Sequence, residues 1–272
     1  MKKILVIPNS LENLGEVLKT NIDGIILPIK GLAVNSNVYF TVEDIKNIIN
    51  LTSKEVCISI NKIMHNEDLE YLEKVLTDLK KINIRKILFY DLAVMNICKK
   101  LGIKKDLVLF QDHLTASLYS ANFYTKRGIK NIVITNDITK DEINEISKHN
   151  SLMLISYGYL PIFYSRRYLI SSYLNYINHD KKSNNYYIKN KEDKYPIIEE
   201  ENGTTIYSKY PINLINDIDD INVDYIILSA TLIDNKTFIS VLNNYLTNTK
   251  DNKNHYKGFI DRKTVYKVED YE

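Results

Sequence analysis

Short apolar runs recur along the chain: Ile4–Ile7, Gly24–Ile29, Val56–Ile60, Lys86–Tyr90, Leu107–Phe110, Asn131–Thr135, Leu152–Tyr157 and Tyr225–Ser229. Several lack polar alternation, which is the pattern of parallel strands covered on both faces. Helix-like stretches separate them. The clearest is Glu67–Ile82, where Leu69, Leu72, Leu76 and Leu79 share one stripe and Asn66 stands as the N-cap. Thr41 caps a predicted helix over Val42–Asn50, and Thr139 with Glu142 forms a capping-box pair before Ile143 and Ile146. Strands alternating with helices in this way predict a (β/α)8 TIM-like barrel. The competing arrangement, an open doubly wound sheet, usually has a glycine-rich first turn, and here that turn is Pro8-Asn9-Ser10. The chain has no G-x-G-x-x-G, P-loop or G-x-S-x-G segment.

One segment breaks the rhythm. Residues 180–209 are polar and contain NYYIKN, YPIIEE and TTIYS, which read as short antiparallel strands inserted before the eighth barrel strand. Such an insert packs on the barrel's side or over its rim. Residues 256–268 read as a closing strand or hairpin. The expectation is therefore one barrel domain over residues 1–272 with a small antiparallel β insertion.

The 272 residues are 44% hydrophobic, enough for a large core. A net charge of +2 gives no broad field for nucleic acid or an anionic membrane. Cys57 and Cys98 are expected to be buried reduced thiols, and two thiols fall short of the roughly four ligands of an iron–sulfur cluster. The apolar start Ile4–Ile7 is too short for a signal peptide, and no segment approaches the ~20 residues of a membrane span, so a cytoplasmic protein is expected.

Barrel enzymes place their chemistry at the C-terminal strand ends. There the sequence offers Lys30, Asn61 with Lys62 and His65, Tyr90 with Asp91, Gln111 with Asp112 and His113, and Tyr157. Asp91, Asp112, His65 and His113 are candidate general acid–base groups, and carboxylate with imidazole also suits a divalent metal. Spacing supplies no metal signature, and both aspartates precede helix-like segments that they could simply cap. Arg166 and Arg167 follow the seventh strand. Guanidinium presents a planar fork for carboxylate or phosphate, so the doublet, with Lys30 and Lys62, reads as an anion site, and Glu201 as an internal partner of one arginine. Ser165 reads as a helix cap rather than a nucleophile. Among the 21 tyrosines, Tyr90, Tyr157 and Tyr159 stand at strand ends where they could line a pocket.

Gly158, Leu160, Tyr164 and Ser165, the segment Glu201–Ser208, Gly258-Phe259 and Lys263–Tyr266 together resemble the collagenase-like peptidases, peptidase family U32. Asn61-Lys62, Tyr90-Asp91 and Gln111-Asp112-His113 resemble a compact lineage of that family. The resemblance implies a barrel with additional strands. It also implies either of two activities: hydrolysis of peptides, or hydroxylation-type modification of tRNA, ribosomal RNA or a quinone precursor, in some members with an iron–sulfur cluster. Pro161 and Tyr168 stand where the cluster cysteines would fall, so no such cluster is expected and the cofactor is left unknown. The first expectation is a peptidase or hydrolase acting on peptides. The alternative is a cluster-free RNA-modification or anionic-ligand-binding protein, with RNA or a small anion as partner.

Overall fold

The computed structural model describes residues 2–262. Eight parallel strands close on themselves: β1 (Lys3–Ile7), β2 (Gly24–Pro28), β3 (Glu55–Ile60), β4 (Lys86–Phe89), β5 (Asp106–Phe110), β6 (Asn131–Val133), β7 (Leu152–Gly158) and β13 (Tyr225–Ser229). Pairing runs from β1 to β7 in order, and β13 bridges β7 back to β1. The fold is a (β/α)8 TIM barrel. β2, β4, β7 and β13 are buried along their whole length, because their outer faces meet helices and their inner faces fill the barrel.

Helices α1 (Leu11–Val17), α2 (Val42–Leu51), α3 (Leu69–Lys80), α4 (Leu92–Lys100), α5 (Leu118–Thr125), α6 (Lys140–Ser147) and, after β13, α8 (Asn235–Thr247) follow their strands. Thr41 and Thr139 both close capping boxes, with Asp44 and Glu142. α3 starts later than expected. Asn66–Asp68 form a 3-10 turn ahead of it, so Asn66 is not its cap. The leucine stripe is sound: Leu72, Leu76 and Leu79 are buried, with Val75.

The position of the seventh barrel helix is taken by the insertion. β8 (Pro161–Ser165) leaves directly from the C-terminal end of β7. It opens an antiparallel sheet in the order β8-β11-β10-β9, with β9 (Asn185–Asn190), β10 (Asp193–Glu200) and β11 (Gly203–Tyr207). The sheet thus draws its first strand from before the helix, ahead of the expected 180–209 segment. α7 (Leu169–Tyr176) packs on this sheet, bonded through Thr204 and Glu199. Alternation along the strands sorts the two faces. Glu199 and Thr204 meet α7, whereas Ile198, Glu200, Thr205 and Tyr207 face the barrel rim. The insert therefore lies over the C-terminal mouth. β12 (Ile212–Asn213) then adds to β7, and buried Leu214, Ile215, Ile218 and Ile221 cover the barrel before β13. Residues 256–262 form turns rather than a strand. The rest of the expected closing strand, 263–268, lies outside the described residues.

Two glycines hold the insert in place. Gly158 has φ +131, and a Cβ there would meet the Ser229 carbonyl at 2.8 Å. Gly203 has φ +132, and its Cβ would stand 2.1 Å from the Ser165 carbonyl.

Candidate functional site

Beneath the insert, the strand ends leave a small cavity of about 30 Å3. Pro28, Ser59, Phe110, Ile155 and Ser229 form its walls, and Tyr207 with Pro161 lies across the top. Beside it opens a recess of about 150 Å3 walled by Asn61, Tyr90, Asp112, His113, Phe163 and Tyr164. Asp112 and Pro161 line both spaces. Asp112 is therefore the carboxylate best placed to meet a ligand at the mouth.

Asp112 and His113 are neighbours with opposite chemistry. Burial pushes the Asp112 carboxyl up to about 6; the His113 charge opposes this and the Asp137 charge adds to it. No side chain donates a hydrogen bond to Asp112 among the described residues, so its oxygens are available. His113 is fully engaged. Its Nδ1 lies 2.5 Å from Asp137 Oδ2 and its Nε2 lies 3.1 Å from the Pro161 carbonyl. The Pro161 carbonyl can only accept, so Nε2 carries hydrogen, and the Asp137 carboxyl beside Nδ1 favours the charged form of the ring. The Asp137 hydrogen bond raises the His113 pKa, against the effect of burial. Burial would raise the Asp137 carboxyl, but the His113 and Thr135 hydrogen bonds and the imidazolium charge hold it below the usual range. His113 thus ties the start of β8 to the loop after β6, with both ring nitrogens engaged.

The roof carries a second set of groups. Tyr39, from the loop after β2, donates to Glu200. Burial raises the Glu200 carboxyl although this hydroxyl opposes it. Tyr207 is raised strongly by burial, then by the nearby Glu200 and Asp112 charges. Thr205 donates to Asn35 and Asn202 to the Ala33 carbonyl, so the loop after β2 and the insert are stitched together over the mouth.

The structure sorts the residues singled out by sequence. Asp112, Tyr90 and Asn61 reach the mouth. Asn61 also brackets Val34, accepting from its amide and donating to its carbonyl, and Gln111 donates to the Tyr90 carbonyl, so both brace loops. Asp91 is a cap: it accepts from Ala93 N, and also from Met64 N. His65 is exposed, and its backbone amide donates to Asp68. Tyr157 misses the pocket because the β7–β13 register shifts at Ile227/Leu228. The bulge turns its ring outward against Phe238 of α8, and burial pushes its hydroxyl up to about 12.

The expected anion site is not assembled. Lys62 is buried and pairs with Asp68 at 2.8 Å. Arg166 pairs with Glu67 at 3.0 Å and Asp68 at 3.6 Å. Arg167 and Lys30 point to solvent. Glu201 is not an arginine partner; it is exposed, and its carbonyl accepts from Tyr168. Instead of binding a ligand, the Lys62–Asp68–Arg166–Glu67 network fastens the end of β8 to the loop after β3.

Tyr39, Glu200, Tyr207 and Asp137 were not anticipated. Period-two alternation in YPIIEE and TTIYS would have put Glu200 and Tyr207 on the face opposite Glu199, but only the docked sheet shows which face meets the barrel. Pro161 and Tyr168, where the resemblance places the cluster cysteines, offer no thiolate. Cys57 and Cys98 are buried in β3 and α4, so an iron–sulfur cluster does not fit here. Among the described residues no group of three His, Cys, Asp or Glu side chains is placed to hold a metal ion, and no helix is long and apolar enough to cross a membrane.

Comparison with known proteins agrees with this architecture. The chain is 26% identical over 237 residues to tRNA hydroxylation protein P2 of Bacillus subtilis, covering 81% of this chain and 76% of that protein. It is 21% identical to tRNA hydroxylation protein P1 of the same organism, over 63% of this chain and 42% of the relative. Among solved structures, the U32 peptidase Mk0906 superposes with a TM-score of 0.55 at 11% identity, covering 85% of this chain and 93% of that one. The family model for peptidase family U32 matches residues 9–269, and the chain belongs to that family.

Proposed function

We propose that this protein takes part in hydroxylation-type modification of tRNA, with the reacting base taken up at the barrel mouth beside Asp112. The observation that carries this reading is the 26% identity with tRNA hydroxylation protein P2 over most of both chains. The site's chemistry supports it. Tyr90, Tyr164 and Phe163 offer aromatic faces on which an unstacked base can lie. Asp112, poised near pH 6, is present in both protonation states under neutral conditions and can exchange a proton with a base edge. Tyr207 adds a protonated hydroxyl at the roof. Peptide hydrolysis has less support. The mouth serines, Ser36, Ser59 and Ser229, have no imidazole partner, and both ring nitrogens of His113 are taken by Asp137 and the Pro161 carbonyl.

The test is a comparison of tRNA and ribosomal RNA nucleosides by mass spectrometry in cells with and without the gene. Loss of a hydroxylated nucleoside from tRNA is the expected result. An unchanged profile would overturn the reading and return weight to hydrolysis.

A further inference from the structure

At the opposite end of the barrel lies an open depression of about 600 Å3 that the mouth chemistry does not use. Five cations line it: Lys2, Lys3, Arg85, Lys86 and Lys130. Period-two alternation explains their convergence. Lys3, Lys86 and Tyr225 open their strands on the inward column that ends at the mouth with Ile7, Tyr90 and Ser229. Two carboxylates, Asp106 and Asp224, share the lining.

The charges do not balance. Lys86 is buried and occupies Glu55 at 3.3 Å and Asp106 at 3.6 Å, with its ammonium 4.9 Å from the Tyr225 ring centre. Arg85 shares Asp106 at 3.6 Å. Asp224 accepts the Ser151 hydroxyl. A hydroxyl donor leaves the Asp224 charge in place, but Lys2, Lys3 and Lys130 form no ion pair among the described residues, so positive charge exceeds this one free carboxylate. Asn131 also lines the depression and donates its amide to the Ser151 hydroxyl.

We propose that this floor depression binds a phosphate-bearing anion. Lys2, Lys3 and Lys130 supply the excess positive charge that recognises it. The depression is wide enough to take more than one phosphoryl group or a phosphate with an attached sugar. A free di- or triphosphate and an RNA backbone share this chemistry. The site is independent of the proposed reaction at the mouth.

The experiment titrates inorganic pyrophosphate into the full-length protein by calorimetry, beside a Lys3→Ala/Lys130→Ala double variant. Both substituted side chains are exposed, and circular dichroism checks that the fold is kept. Saturable binding below about 1 mM, weakened about tenfold or more in the variant, is expected. A tRNA arm separates the sources. If pyrophosphate displaces tRNA and the variant weakens both, the natural ligand is the RNA backbone; if tRNA binding is unchanged, it is a free phosphate compound. No saturation by pyrophosphate, or equal affinity in the variant, overturns the proposal. A Lys2→Gln variant gives the same readout if the double variant does not fold.

Discussion

Adjacent residues at the end of β5 divide the work of the mouth between them. The Asp112 carboxyl is raised from 3.8 to about 6, chiefly because it is buried. The sign follows from linkage. A carboxyl raised in the folded state favours the fold below its unfolded pKa, and that stability is lost as pH rises from about 4 through about 6. Asp112→Asn removes the penalty, so the variant should be more stable than the parent at pH 7 by about 1–3 kcal/mol, with little difference at pH 4, as measured by urea unfolding. His113 acts in the same direction at higher pH. Its raised pKa gives a contribution fully present below about 6.5 and lost as pH rises through the folded value. Its side chain and that of Asp137 are 48% and 41% exposed, so the contribution is about 1 kcal/mol or less. His113→Gln should flatten the decline in stability above about pH 6.5 while leaving the acid-side change in place.

At the scale of elements, the insert is held by three devices: a partly buried ion network, a glycine turn and the stitching of the loop after β2. Asp68 stands between Lys62 and Arg166, and its carboxylate is drawn down by the Lys62 hydrogen bond and both charges despite burial. Asp68→Ala would leave Lys62 buried without a counter-charge and remove one of Arg166's two acidic partners. The cost should be about 3–5 kcal/mol in urea unfolding. Limited proteolysis should then cut within the β9–β10 hairpin faster than in the parent; unchanged cleavage would show that the network does not fasten the insert. Gly203→Ala should cost about 1–3 kcal/mol by the same measurement, because φ +132 and the Ser165 carbonyl leave no room for a Cβ. Thr41 and Thr139 were legible as caps because a capping box is local: the donor, acceptor and spacing all lie within four residues. The start of α3 was less legible, since Asn66, Glu67 and Asp68 satisfy both a helix and the 3-10 turn they form.

For the molecule as a whole, the closed barrel was readable because its strands are short, apolar and regularly spaced, and because parallel strands buried on both faces lack alternation. The location of polar chemistry at the C-terminal ends was readable too, and it brought Asp112, Tyr90 and Asn61 to one recess. What sequence could not settle was pairing across distance. Whether Arg166 met a ligand or Asp68, 98 positions away, depended on where β8 docks. Whether Tyr157 faced the pocket depended on one bulge between β7 and β13. The insert's position over the mouth, and with it the roles of Glu200 and Tyr207, follows from β8 leaving β7 directly, a step hidden in the segment read as a helix start.

Asp112 at the barrel mouth is the group proposed to act on a tRNA base. The most direct test of that role is complementation: nucleoside mass spectrometry of tRNA from a deletion strain carrying either the parent gene or Asp112→Asn. The parent should restore the hydroxylated nucleoside, and the variant, folded and at equal abundance, should restore less than about one-tenth of it. Full restoration by Asp112→Asn would contradict the account.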